Sequence, residues 1–99
     1  IRTGVAGASV YQLTKTAVGG LVKGVALDLA PRRITVNNIQ PGPTDTDLNA
    51  GAIDTYASMS PLKRVAQPEE IAGLISYLAN ADSSYVTGAS LTIDGGLTL

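Results

Sequence analysis

Apolar residues in the first third of the chain recur with a helical period. Val18, Leu21, Val22, Val25 and Leu29 stand at i, i+3, i+4, i+7 and i+11, the spacing that lines one buried stripe of an α-helix. The pattern predicts a helix over residues 9–30, stopped by Pro31, whose ring cannot continue the turn. Gly19, Gly20 and Gly24 lie inside it. Each costs roughly 1 kcal/mol against alanine, which a helix accepts where another backbone must come close. The run Ile34-Thr35-Val36-Asn37-Asn38-Ile39 is short and β-branched, ends at Pro41-Gly42-Pro43, and reads as a buried strand. Residues 44–67 show little periodicity, and a loop of that length more often covers or binds something than merely connects. A second helix opens at Pro68-Glu69-Glu70, with proline at its first position and two acids at the positive end of its dipole. Ile71, Leu74, Ile75 and Leu78 give that helix an apolar face, and residues 89–94 form a last strand closed by Gly95-Gly96.

Helices alternating with short aliphatic strands predict an α/β arrangement, a parallel sheet with helices packed on it. Two strands do not make a stable open parallel sheet, because such sheets are buried on both faces and their edges expose unpaired backbone groups. The chain is therefore expected to be one part of a larger α/β domain or to be completed by another chain. Its opening Ile1, where a complete chain would carry Met, reads as a truncated start.

Composition narrows the chemistry. Seven basic against eight acidic residues give a net charge of −1, which excludes the basic stripe of a nucleic-acid binder and a polybasic membrane patch. No apolar run approaches the ~20 residues of a membrane span, and no charged-then-apolar leader opens the chain. The expected setting is cytoplasmic. With no Cys and no His there is no disulfide framework, no thiolate or imidazole metal site and no Ser-His-Asp triad. Asp45, Asp47 and Asp54 lack close ligand spacing and read as solvated loop carboxylates, so no metal is expected. Chemistry must run on Tyr, Lys, Ser, Thr, Asp or Glu.

Tyr11 and Lys15 stand four apart near the start of the first helix and share a face. A phenol titrates near 10 and is a poor base at neutral pH; a nearby ammonium favours phenolate and brings it toward the working range of a general acid/base. Such a pair can protonate an alkoxide as hydride reaches a carbonyl, or take the proton in reverse. By itself it equally describes a packed tyrosine beside a solvated lysine.

The order Y-x-x-x-K, helix, strand, Asn37, Pro41-Gly42, loop, Pro68-Glu69-Glu70-Ile71-Ala72, Thr87-Gly88, Asp94-Gly95-Gly96 resembles the C-terminal half of the short-chain dehydrogenase/reductase family, 3-oxoacyl-carrier-protein reductase-like members in particular. The resemblance runs through nearly all 99 residues. It implies the C-terminal part of a doubly wound, Rossmann-type parallel-sheet domain: two helices, two strands and a long substrate-side loop, with the N-terminal dinucleotide-binding half absent. It implies Tyr11 as catalytic acid/base, and Lys15 as its electrostatic assistant and ligand of the nicotinamide ribose hydroxyls. Pro41 and Gly42 would shape the nicotinamide wall, Thr44 would meet the carboxamide through its backbone, and Thr46 would reach toward the diphosphate. Read without the family, Pro41-Gly42-Pro43 is a strand-ending turn and the two threonines are solvated. Asn37 is expected to hold backbone at the strand end, and Asp94-Gly95-Gly96 to be a turn near subunit contacts.

The chain also departs from that pattern. The family's catalytic serine precedes the tyrosine by thirteen residues, before residue 1, and Ser9 cannot take its place. Gly4 and Gly7 form no G-x-x-x-G-x-G turn. The resemblance therefore implies a parent NAD(P)-dependent oxidoreductase interconverting a ketone and a secondary alcohol, with the choice of NAD or NADP unspecified, and an inactive isolated 99-residue chain. A small carbonyl or alcohol substrate and a homo-oligomer, tetramer or dimer, are the implied partners. The loop corresponding to residues 45–66 would set substrate choice, with Tyr56, Met59 and Leu62 as its larger contacts. A rival comes from residues 40–49, which look like the same stretch in cyclic-di-GMP-binding biofilm-dispersal proteins: a non-catalytic binding protein on the same scaffold.

Overall fold

The computed structural model describes residues 9–47 and 50–99, with side chains from residue 13 onward within the first helix. Among them the order is α1 (Ser9–Leu29), β1 (Asn38–Pro41), α2 (Ile53–Met59), α3 (Pro68–Leu78) and β2 (Ser90–Ile93). Pro31 ends α1 as expected, by tightening it into a 3-10 turn at Ala30–Arg32 that Arg33 closes in the left-handed conformation. The strands are parallel and in register, Asn38 against Ser90 through Pro41 against Ile93. Asn38 and Gly42 donate their N–H groups to Ala89 and Ile93, so even positions bond to β2. Pro41 falls on the other parity, where the N–H it lacks is not asked for.

Two boundaries differ from the hydrophobic pattern. The predicted strand at residues 34–39 starts four residues and ends two residues before β1, because the chain opposite, residues 86–89, is turned by Gly88 at φ +72°. Val36 N–H donates to the Thr87 hydroxyl (3.1 Å) and Gly88 N–H to the Val36 carbonyl (2.8 Å), which is extended pairing but not a ladder. The loop expected over residues 44–67 contains a helix, α2, so the described residues hold three helices rather than two. At seven residues and without a side-chain cap, α2 is too short to leave a periodic signature.

The predicted stripe on α1 is also divided. Val22, Val25 and Leu29 are half-buried and Ala26 is buried, but Val18 is 40% and Leu21 66% exposed. Leu13 and Leu27 face outward too. The accessible surface of 6936 Å² exceeds the roughly 5,300 Å² of a folded monomer of this size. The radius of gyration, 15.2 Å, likewise exceeds the ~13 Å of a compact 100-residue domain. No helix among the described residues is long and apolar enough to cross a membrane.

Candidate active site

The chain leaves the C-terminal end of β1 at Pro41, and the side of an open parallel sheet beyond the strand C-termini is where ligands usually bind. Gly42 is there for a steric reason. A Cβ on it would stand 2.7 Å from Asp94 Cβ and 2.8 Å from Asp94 Cα, so only glycine lets the turn after β2 cross so closely. Thr44 donates its hydroxyl to the Gly42 carbonyl (3.2 Å), and its backbone lies beside Ala66 in an isolated parallel bridge. Asp45 N–H donates to Ala66 (2.8 Å) and Ala66 N–H to Pro43 (3.1 Å). Thr46 follows, exposed. Pro41, Gly42, Thr44 and Thr46 therefore line the path by which the chain leaves the sheet, zipped at Thr44 to the segment that returns after α2.

Tyr11 and Lys15 are brought together only as far as the backbone goes. Both lie in α1, one turn apart; the Tyr11 side chain lies outside the described residues, and Lys15 is half-buried. α1 is tied to the sheet by Lys23, whose ammonium donates to the Gly88 carbonyl (3.2 Å).

The expected structural role of Asn37 is what the structure gives. Its amide donates to the Val86 carbonyl (3.0 Å) and its Oδ1 accepts from Ala89 N–H (3.1 Å), clamping the approach to β2 onto the approach to β1. Asp94-Gly95-Gly96 is a turn, also as expected. The Asp94 carboxylate accepts from Gly96 N–H (2.9 Å), Thr98 N–H (3.1 Å) and the Thr98 hydroxyl (2.6 Å). The Thr98 hydroxyl above all, then the backbone amides, hold its carboxyl below the usual range against some desolvation.

Four contacts had no sequence signal strong enough to single them out. Ser60, 4% exposed, donates its hydroxyl to the Gly95 carbonyl (3.2 Å), and Leu62 N–H donates to the same oxygen (3.2 Å). Arg64 grips Glu70 with both nitrogens, 2.6 and 2.8 Å. Glu70 also accepts from Gln67 N–H (3.0 Å) at the start of α3. That guanidinium, then the Gln67 amide, lowers the Glu70 carboxyl to about 2. The spacing of Arg64 to Glu70 across a proline was the available hint. Between these segments lies a hollow of about 60 Å³ bordered by Pro43, Tyr56, Leu62 and Asp94, far below the ~300 Å³ of the smallest usual ligand pockets. Tyr56 borders it, whereas Met59 is 49% exposed and does not.

Residues 1–98 match the family described as Enoyl-(Acyl carrier protein) reductase. A short-chain dehydrogenase/reductase from Serratia marcescens BCRC 10948 superposes with a TM-score of 0.88 at 48% identity, over 99% of this chain and 41% of that one. BdcA in complex with NADPH superposes with a TM-score of 0.83 at 46% identity, over 96% of this chain and 40% of that one. The cyclic-di-GMP-binding biofilm dispersal mediator protein of Escherichia coli (strain K12) is 46% identical over 97 residues, 95% of this chain and 41% of the relative. Relatives also include 3-oxoacyl-[acyl-carrier-protein] reductases. The chain spans about two fifths of the length of the relatives it matches. With 98 residues matched and the helix-strand order preserved in three dimensions, the chain belongs to the short-chain dehydrogenase/reductase family and corresponds to its C-terminal portion.

Proposed function

We propose that this chain is the C-terminal part of a single-domain NAD(P)-dependent oxidoreductase that interconverts a ketone and a secondary alcohol, with Tyr11 as its acid/base. The observation that carries this reading is the continuity of α1, which sets positions 11 and 15 one turn apart with Lys15 half-buried. An ammonium there favours the phenolate of Tyr11, so that its hydroxyl gives a proton to the substrate oxygen during reduction and recovers it during oxidation. A bound nicotinamide supplies the hydride, or accepts it in the reverse direction. The donor set suits that end of a dinucleotide: Thr44 and Thr46 lie beyond the C-terminal end of β1, the side of an open parallel sheet where ligands usually bind. Lys15 would hold the ribose, Pro41 and Gly42 the ring's edge, Thr44 the carboxamide and Thr46 the diphosphate side. The NADPH of the BdcA complex supports this cofactor class; NADP and NAD both remain within the proposal.

In the full-length protein, Tyr11→Phe is expected to lower turnover at least ~100-fold while cofactor affinity changes by about twofold or less. Unchanged turnover would remove the mechanism. The 99-residue chain alone is expected to oxidise no NADPH, since it lacks the glycine-rich turn that carries most dinucleotide affinity. We also propose a homo-oligomer, tested by the solution mass of the full-length protein. A second reading, a cyclic-dinucleotide binder on the same scaffold, is favoured by the name of the Escherichia coli relative. Parallel titrations with cyclic-di-GMP and NADPH separate the two.

A further inference from the structure

We infer that Ser60 is a positioning residue: it hangs the α2 arm from the Asp94–Gly95 turn, the same turn against which Gly42 is packed. The inference rests on the oxidoreductase reading, in which Gly42 belongs to the cofactor wall and the arm to the substrate side.

Ser60 is a polar residue buried where few residues are. All of its polar groups are in use. Its N–H closes α2 on the carbonyls of Tyr56 (3.2 Å) and Ala57 (3.3 Å), its carbonyl takes Lys63 N–H (2.8 Å), and its hydroxyl donates to Gly95 (3.2 Å). The receiving turn cannot yield easily, because Asp94 fixes it through three hydrogen bonds to Gly96 and Thr98. It is also filled on both sides: a Cβ on Gly95 would stand 2.7 Å from Ser60 Oγ, and a Cβ on Gly42 2.7 Å from Asp94 Cβ. One turn therefore abuts the outgoing segment at Gly42 and the returning segment at Ser60. The separation between cofactor wall and substrate arm is set by that turn, and the Ser60 hydroxyl is the side-chain bond that transmits it.

The test uses Ser60→Ala in the full-length protein, with substrate kinetics, cofactor affinity and amide hydrogen exchange as readouts. Loss of the anchor is expected to raise KM for the carbonyl substrate about tenfold, leaving kcat and the cofactor Kd within about twofold. The Leu62 and Lys63 amides should exchange about tenfold faster while those of Asn38 and Gly42 keep their rates. Ser60→Thr, which retains the hydroxyl, should restore KM and exchange together. Unchanged exchange at Leu62 with unchanged KM overturns the inference, as does a parallel fall of kcat and cofactor affinity, which marks a merely structural role. If the unsubstituted protein turns over no carbonyl substrate, the oxidoreductase reading fails by itself. The exchange comparison then still decides whether the Ser60 hydroxyl holds the arm.

Discussion

α1 and the segment running from Asn37 to Thr98 hold their shape by different means. The latter is closed on itself: Asn37 clamps the two strand approaches, the strands bond in register, Ala66 is zipped to Pro43 and Asp45, and Ser60 meets Gly95. α1 touches this frame along one side, through Val22, Val25, Ala26 and Lys23, and turns Leu13, Leu21 and Leu27 to the outside. The frame of strands and returning segment is thus specified by contacts within the chain. The helix proposed to carry the acid/base is only half-specified, since its other face exposes large apolar side chains.

The largest expected effect follows directly. The 99-residue chain by itself should not unfold as a cooperative monomer in denaturant, and should associate in sizing experiments, because α1 leaves large apolar side chains in water. A sharp, monomeric transition would dissolve the contrast between the two regions.

Within the full-length protein, Gly42→Ala should be the most damaging single change to the frame. Its new Cβ meets the Asp94 backbone and Cβ at under 3 Å, and overpacking against backbone costs typically 1–3 kcal/mol or more. Asn37→Ala should follow at about 1–3 kcal/mol, since it strips partners from Val86 and Ala89 at once. Denaturant midpoints at constant m-value check both. Leu21→Lys sharpens the comparison from the other side. It should cost about 1.5–3 kcal/mol in the full-length protein, if the outward face of α1 is covered there. In the 99-residue chain it should reduce association instead. Equal effects in the two settings would mean that α1 is never covered.

How much of this was legible depends on the range of the interactions. α1, α3 and β2 follow from local pattern and from Pro31 and Pro68, and the structure keeps them within a residue of the expected ends. The Asp94 turn was readable because Asp-Gly-Gly after a strand has few other uses, whereas the Asn37 clamp was expected through the resemblance and at the end of a strand, and it lies just ahead of one. β1 was misplaced because its limits are set by where a segment some fifty residues later straightens past Gly88. Leu21 keeps its place in the helical stripe but is exposed, because spacing gives a stripe and not what covers each of its positions. The candidate residues Pro41, Gly42, Thr44 and Thr46 were located through the resemblance, whereas Ser60 finds its partner thirty-five residues away and no local spacing announces that.

The smallest effect concerns the lock between the returning segment and α3. The Arg64 fork, then the Gln67 amide, holds the Glu70 carboxyl at about 2, below its unfolded value of roughly 4.3. A depressed carboxyl contributes stability that is full above the unfolded value and is lost as pH falls through the folded one. Wild-type stability should therefore decline from about pH 4.5 toward pH 2, and Glu70→Gln should decline less over the same window while lying slightly lower at pH 7. Asp94, also depressed, titrates in both proteins, so its share cancels from the difference between the two curves. Both Arg64 and Glu70 are well exposed, so the difference should be small and shrink with added salt. Denaturation midpoints against pH for the two proteins measure it. Parallel curves between pH 5 and 2 would mean that the fork closes without contributing, and that the returning segment is held by Ser60 and the Ala66 zipper alone.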